Sequence, residues 1–344
     1  MIKVKKEGAI LSPTSRAFEK RAVLNPGILQ IGNTVHVVYR AVDKDHISTL
    51  GYARLDGPLE VVERMKEPLY VPLHKYEKKG LEDPRLTMID GKIYMTYVAH
   101  DGKHALIAYM SGPDIFHLKR GGIISAKIRY ARAGKFFNAV KLKDDYFFFE
   151  AYYKNFSGKD VMVWEKDGVL FPEKINGKFI LTHRVLPDIQ IVEFNHFDDL
   201  KKNSFWLSYF QNMHKNVMLE NKYAFEERHI GGGAPPIKTK YGWLMIYHGT
   251  EENNHGRTYH AGAALFALDD PRRLIARLPE PLFSPTEDYE LAGYVDNVVF
   301  PTGASVFGDR LYIYYGAADN HIAAASVNLP DLLSELRKYR ISKD

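Results

Sequence analysis

Short apolar runs rich in tyrosine and phenylalanine alternate with polar positions along this chain and stop at glycine, aspartate or asparagine. A period of two is the signature of a strand with one face buried, and a tight polar break between two such runs predicts a β-hairpin. Six stretches fit: 27–40 around Gly32-Asn33, 86–97 around Asp90-Gly91, 139–150 around Asp144-Asp145, 171–184 around Asn176-Gly177, 236–249 around Tyr241-Gly242 and 302–316 around Gly308-Asp309. The turns lie mostly about 50 to 70 residues apart, which suits a degenerate repeat of four-stranded units with long loops. The pattern predicts an all-β fold, a β-propeller of few blades, with a pair of β-sandwiches as the competing architecture.

Helix periodicity is confined to two short stretches, 197–203 and 329–338, the second opened by Pro330 and Asp331. A doubly wound α/β fold needs helices of about 10 to 15 residues between its strands, and that alternation is missing. No Ser- or Pro-rich linker divides the chain, so residues 1–344 read as one domain.

Of the 344 residues, 45% are hydrophobic and 26% charged, enough for a large core. A net charge of +5, from 47 basic and 42 acidic residues without a long basic block, argues against nucleic acid and suits a small anionic ligand. The absence of cysteine removes disulfides, thiolate metal sites and cysteine nucleophiles. The charged N-terminus lacks the apolar run of a signal peptide, and no stretch approaches the ~18 apolar residues of a membrane span. Cytoplasmic residence without a membrane partner is the expectation, and a homo-oligomer is compatible with it.

Chemistry concentrates first in Glu82-Asp83-Pro84-Arg85, where two carboxylates and a guanidinium surround a residue that fixes the backbone. The plain alternative is a surface turn with Asp83 capping local amides and Arg85 pairing with Glu82. Because a hairpin follows, the acid is expected at the start of a strand. Other polar residues flank the repeated hairpins: Asn25 and Arg40 the first, Arg184 the fourth, His248 the fifth and Asp319 the last. In a propeller such positions converge on one pocket. The segment 229–237 is glycine-rich but lacks the Gly-Lys-Ser/Thr ending of a phosphate-binding loop, so a pocket wall is expected there. His248, like His183, His255 and His260, reads equally well as a core histidine. No metal-ligand spacing or Gly-x-Ser-x-Gly elbow is present.

Taken in order, Glu82-Asp83-Pro84-Arg85, Phe171-Pro172-Glu173-Lys174-Ile175-Asn176-Gly177-Lys178, Gly233-Ala234-Pro235-Pro236-Ile237 with Gly242-Trp243-Leu244, Tyr247-His248-Gly249 and Tyr315-Gly316-Ala317-Ala318-Asp319 closely resemble glycoside hydrolase family 130. That family contains the β-mannoside phosphorylases. The resemblance implies a five-bladed β-propeller with a central pocket and inverting cleavage of β-1,2- or β-1,4-mannosides. Asp83 is the implied proton donor, acting through the mannose 3-hydroxyl. It also implies a phosphate clamp at Lys166, Arg184, His229 and His248, with Lys166 where arginine is expected and His229 where lysine is expected. Asn25, Arg40, Glu82, Arg85 and Asp319 are the implied sugar-binding residues. No cofactor is required, and inorganic phosphate serves as co-substrate to give α-D-mannose 1-phosphate. A β-1,2-mannosidase using water is the alternative, with Glu226, Glu227, Glu251 and Glu252 as candidate sources of a base. A non-catalytic carbohydrate-binding propeller is an alternative of another class.

Overall fold

The protein is described here from a computed structural model, which covers residues 2–254 and 256–341. It is all-β with few helices. β1 (Lys5–Leu11) is followed by two antiparallel meanders: β2 (Ala22–Ile31), β3 (Thr34–Val42), β4 (Ser48–Asp56) and β5 (Glu60–Arg64), then β6 (Gly80–Ile89), β7 (Lys92–His100), β8 (Ala105–Gly112) and β9 (Lys119–Ile123). A single parallel bridge between Ser48 and Gly80 joins the two into one eight-stranded sheet. The next sheet holds β10 (Lys166–Leu170), β11 (Phe179–Val185), β12 (Asp188–Phe194) and β13 (Val217–Leu219). In the third, β14 (His229–Gly232) and β15 (Ile237–Thr239) share the long partner β16 (Gly242–Asn253), followed by β17 (Gly256–Phe266) and β18 (Leu274–Arg277). The fourth has the order β1, β21 (His321–Asn328), β20 (Arg310–Ala317), β19 (Val299–Phe307), so the first strand completes the last sheet.

Five of the six predicted hairpins stand at their turns. At Asp90-Gly91 and Asn176-Gly177 both central residues have positive φ, 51° and 73° and then 51° and 79°, as a two-residue hairpin turn matched to strand twist requires. The sixth expectation is overturned. Residues 139–150 fall in α1 (Tyr130–Ala139) and α2 (Asp145–Ser157), because Tyr146, Phe149 and Tyr153 recur at helical spacing and bury one face against Phe137. The helix expected at 197–203 begins where that stretch ends, as α3 (Asn203–Gln211). Two more helices are α4 (Asp288–Leu291) and α5 (Leu329–Leu336), the latter in the predicted place, with Pro330 in its first turn and the Asn328 side chain accepting from the Asp331 amide. Among the described residues no helix is long and apolar enough to cross a membrane.

Candidate active site

The first strands of three successive units carry the same local device. Each breaks its ladder at an Asx residue in the left-handed region: Asn25 at φ 49°, Asp83 at 51° and Asp167 at 52°. Asn and Asp tolerate this conformation better than other L-residues, and the Pro26, Pro84 or Gly168 that follows favours the break. The bulge turns the Asx side chain away from the alternation of its strand. Asp83 therefore lies within β6 rather than at its start, correcting the position expected from sequence. Asn25 Nδ2 donates to Asp83 Oδ1 at 2.8 Å, linking β2 and β6. Their backbones approach so closely that a Cβ on Gly27 would stand 2.8 Å from the Pro84 carbonyl oxygen.

A charged layer surrounds the acid. Arg40 donates from Nη2 to Glu82 Oε1 at 2.9 Å, places Nη1 3.5 Å from Asp83 Oδ1, and is oriented by a bond from Nε to Ser48 Oγ at 2.9 Å. Lys166 Nζ reaches Glu82 Oε2 at 3.3 Å. Burial opposes the charge on Glu82, but the Arg40 guanidinium and Lys166 ammonium overcome it and hold the carboxyl down at about 2. Asp319, at φ 50° after β20, is partly exposed. Burial raises its carboxyl to about 6, Asp83 adding to the rise and Arg40 opposing it. Asn25, Arg40, Glu82, Asp83 and Asp319, expected together from sequence, are thus brought into one cluster.

Arg85 is placed differently from the expected sugar contact. Its side chain is 1% exposed and donates to the carbonyls of Gly233 at 2.7 Å and Asp83 at 2.9 Å, so it braces the strands beneath the site.

Beside the acid cluster lies a cavity of about 250 Å³ lined by Lys166, Arg184 and His229 together with Arg228, Arg257 and Tyr259. Lys166 and Arg184 face each other across the β10–β11 ladder. The four residues expected as one basic clamp separate into two kinds. Lys166 and Arg184 are permanent cations, whereas burial and the nearby Arg184 push both imidazoles, His229 and His248, well below their usual range, so both rings are neutral. His248 is fully buried behind Arg184, with Nε2 3.1 Å from Arg184 Nη1 and its ring 4.3 Å from that of Phe300. His229 meets Thr250 Oγ1 at 3.2 Å.

Glu226 is sealed in the interior, accepting from Arg277 and from the Tyr247 hydroxyl, each at 2.6 Å. Glu252 is shared by Arg228 and Arg257, and Glu251 stands 3.7 Å from His260. His183 is a core histidine held between Glu165 and Tyr209, and His255 lies outside the described residues. Among the described residues no cluster of three or more His, Asp or Glu side chains could hold a metal ion.

Sequence reasoning missed Asp167, although the recurrence Leu24-Asn25-Pro26, Glu82-Asp83-Pro84, Lys166-Asp167-Gly168 marks it. It also missed Tyr152 and Tyr153, which α2 delivers to the cavity wall. Finding those required recognising the helix.

The all-β frame thus gathers the carboxyls of Glu82, Asp83 and Asp319, the polar side chains of Asn25 and Arg40, and a cationic cavity in one place. Residues 9–338 match the sequence model of glycoside hydrolase family 130, described as β-1,4-mannooligosaccharide phosphorylase, and the chain belongs to that family. It is 34% identical to the 1,2-β-oligomannan phosphorylase of Thermoanaerobacter sp. (strain X514), over 96% of this chain and 99% of that protein. It is 35% identical to a β-1,2-mannobiose phosphorylase of the same strain, over 92% and 94% of the two chains. The β-1,2-mannobiose phosphorylase of Listeria innocua, solved with β-1,2-mannobiose, shares the fold at a TM-score of 0.74 and 22% identity, covering 98% of this chain and 100% of that one.

Proposed function

We propose that this protein cleaves β-1,2-linked manno-oligosaccharides by phosphorolysis with inversion, releasing α-D-mannose 1-phosphate and a shortened sugar. The observation that carries this reading is the cavity holding Lys166 and Arg184 directly beside the Asp83 cluster. Two fixed cations suit a phosphate dianion, and phosphate is already a nucleophile at neutral pH, so no second carboxylate has to activate it. The names of the relatives matched over more than nine-tenths of this chain favour the β-1,2 linkage.

In this reading phosphate in the cavity attacks the anomeric carbon from the face opposite the leaving group. The new C–O bond to phosphate forms as the glycosidic C–O bond breaks. Asp83 supplies the proton that the leaving oxygen takes and recovers one from the phosphate it has consumed, through solvent. Asn25 and Arg40 fix the Asp83 carboxyl, and Arg40, Glu82 and Asp319 are placed for sugar hydroxyls. A hydrolase would need a free carboxylate as base; Glu226 and Glu252 are engaged in ion pairs, and neither they nor Glu227 and Glu251 line the cavity that holds Lys166 and Arg184.

The five strand units fit five blades about one axis. Supporting this, β19 packs on β2, β2 on β6, β6 on β10, β10 on β14, and β16 returns to β19.

The test incubates the protein with β-1,2-mannobiose with and without inorganic phosphate. The expected outcome is α-D-mannose 1-phosphate in the phosphate arm and loss of at least about a thousandfold in turnover for Asp83→Asn, which cannot donate the proton. Equal free mannose in both arms, with no sugar phosphate, would refute the proposal.

A further inference from the structure

Behind the cationic cavity lies a carboxylate that the proposed reaction does not use. Asp167 is 2% exposed, sits at the left-handed bulge that opens β10, and directs Oδ2 to within 3.1 Å of Arg184 Nη1 and 4.0 Å of His248 Nε2. Its Oδ1 stands 3.7 Å from Arg85 Nη2. Neither oxygen accepts a hydrogen bond of good geometry from any described residue. A buried carboxylate so arranged is held by charge: Arg85 gives its N–H groups to the Gly233 and Asp83 carbonyls, whereas Arg184 meets Asp167 and His248 through Nη1 and keeps its other donors for the cavity.

A second observation shows that the fold makes room for this group. Gly231 in β14 faces it, and a Cβ there would collide with both Asp167 Oδ2 and the His248 ring. The glycine-rich segment therefore serves the packing of Asp167 and His248 behind Arg184, whatever else its backbone does. Asp167 repeats in the third unit the device that sets Asn25 in the first and Asp83 in the second.

We propose that Asp167 is a positioning residue for the phosphate step: with His248 it holds the Arg184 guanidinium from behind, so that its remaining donors meet phosphate in the cavity. The proposal rests on the phosphorolytic reading above. Asp167 touches neither the sugar nor the phosphate, and its influence passes through Arg184. Its loss should therefore weaken phosphate binding while leaving mannoside binding in place.

The experiment measures initial rates of Asp167→Asn with phosphate varied at saturating β-1,2-mannobiose, and the reverse. The expected result is a KM for phosphate raised about tenfold or more, with the KM for mannobiose within about twofold of wild type. In an Arg184→Lys background the same substitution should add less than about threefold, because the two act as a unit. Phosphate-induced thermal stabilisation, read without turnover, should shrink in parallel. A purely structural counter-ion would lower thermal stability and leave the ratio of the two KM values unchanged, and that outcome overturns the proposal. Should Asp167→Asn fail to fold, Gly231→Ala, which displaces Asp167 and His248 together behind Arg184 without removing either, is read by the same ratio. If the wild-type protein made no sugar phosphate, the phosphorolytic reading would fall first. Normal wild-type phosphorolysis with an unaltered phosphate KM in the variants would refute the role of Asp167 alone.

Discussion

Asn25, Asp83, Asp167 and Asp319 all hold φ near 50°, a region that costs most side chains free energy and that Asn and Asp enter at least expense. The site is thus built from residues that the strands hold against local preference. Asp319 adds an electrostatic cost, because burial raises its carboxyl to about 6 from the ordinary range. A carboxyl raised on folding leaves the folded state fully stable below the unfolded pKa near 4 and progressively destabilises it as pH rises through about 6. Asp319→Asn removes that titration. The melting temperature of the variant minus that of wild type is expected to be small at pH 4 and to grow more positive up to pH 7, while mannoside affinity falls. A difference that shrank with rising pH would contradict the raised carboxyl. Asp83 and Asp319 were legible in sequence because each stands beside a hairpin within a recurring motif. Asp167 was not, since Lys166-Asp167-Gly168 reads alone as an ordinary charged turn, and its partner Arg184 is seventeen residues away across a ladder. The neutrality of His229 and His248 was equally hidden, because it follows from burial beside Arg184.

At the scale of elements, five hairpins were legible because turn chemistry and alternation agree there. The segment 139–150 misled because Tyr146-Phe147-Phe148-Phe149 has strand propensity in every residue. Tertiary packing overrides it: Tyr146 and Phe149 turn inward with Tyr153, and Phe148 is left 55% exposed on the far side of the helix. Phe137 is the hinge of this packing, fully buried in α1 against Tyr146 and Phe147 of α2 and Phe210 of α3. Phe137→Ala is expected to cost about 3–5 kcal/mol in urea unfolding. Because α2 also brings Tyr152 and Tyr153 to the cavity, the same variant should raise the KM for substrate under conditions where it remains folded. A destabilised variant with unchanged KM would separate the helices from the site.

Across the whole molecule, the first strand is the piece whose role sequence could not reveal, since its partner lies more than three hundred residues away. β1 pairs with β21, the third strand of the last sheet, through the register Lys5 to Ser326 and Leu11 to Ile322. Without β1, the backbone of β21 would become an open edge. The strand also delivers Lys6, whose Nζ meets Glu290 Oε1 at 2.5 Å and the Ser284 carbonyl at 3.0 Å. Glu290 is fully buried and also accepts from the Tyr315 hydroxyl, and Lys6 is the cation paired with it. Tyr315 leads within β20 to Gly316, where a Cβ would strike the Asn25 side chain, so the sheet that β1 completes also supports the acid cluster. Lys6→Met leaves a buried carboxylate without its cation and is expected to cost about 3 kcal/mol. Deleting residues 2–11 removes the strand pairing as well and should lower the urea midpoint further, promote association through the bared edge and reduce turnover. If the deletion variant unfolded at the same urea concentration as Lys6→Met, the contribution of β1 would reduce to its lysine, and closure of the last sheet would carry no stability of its own.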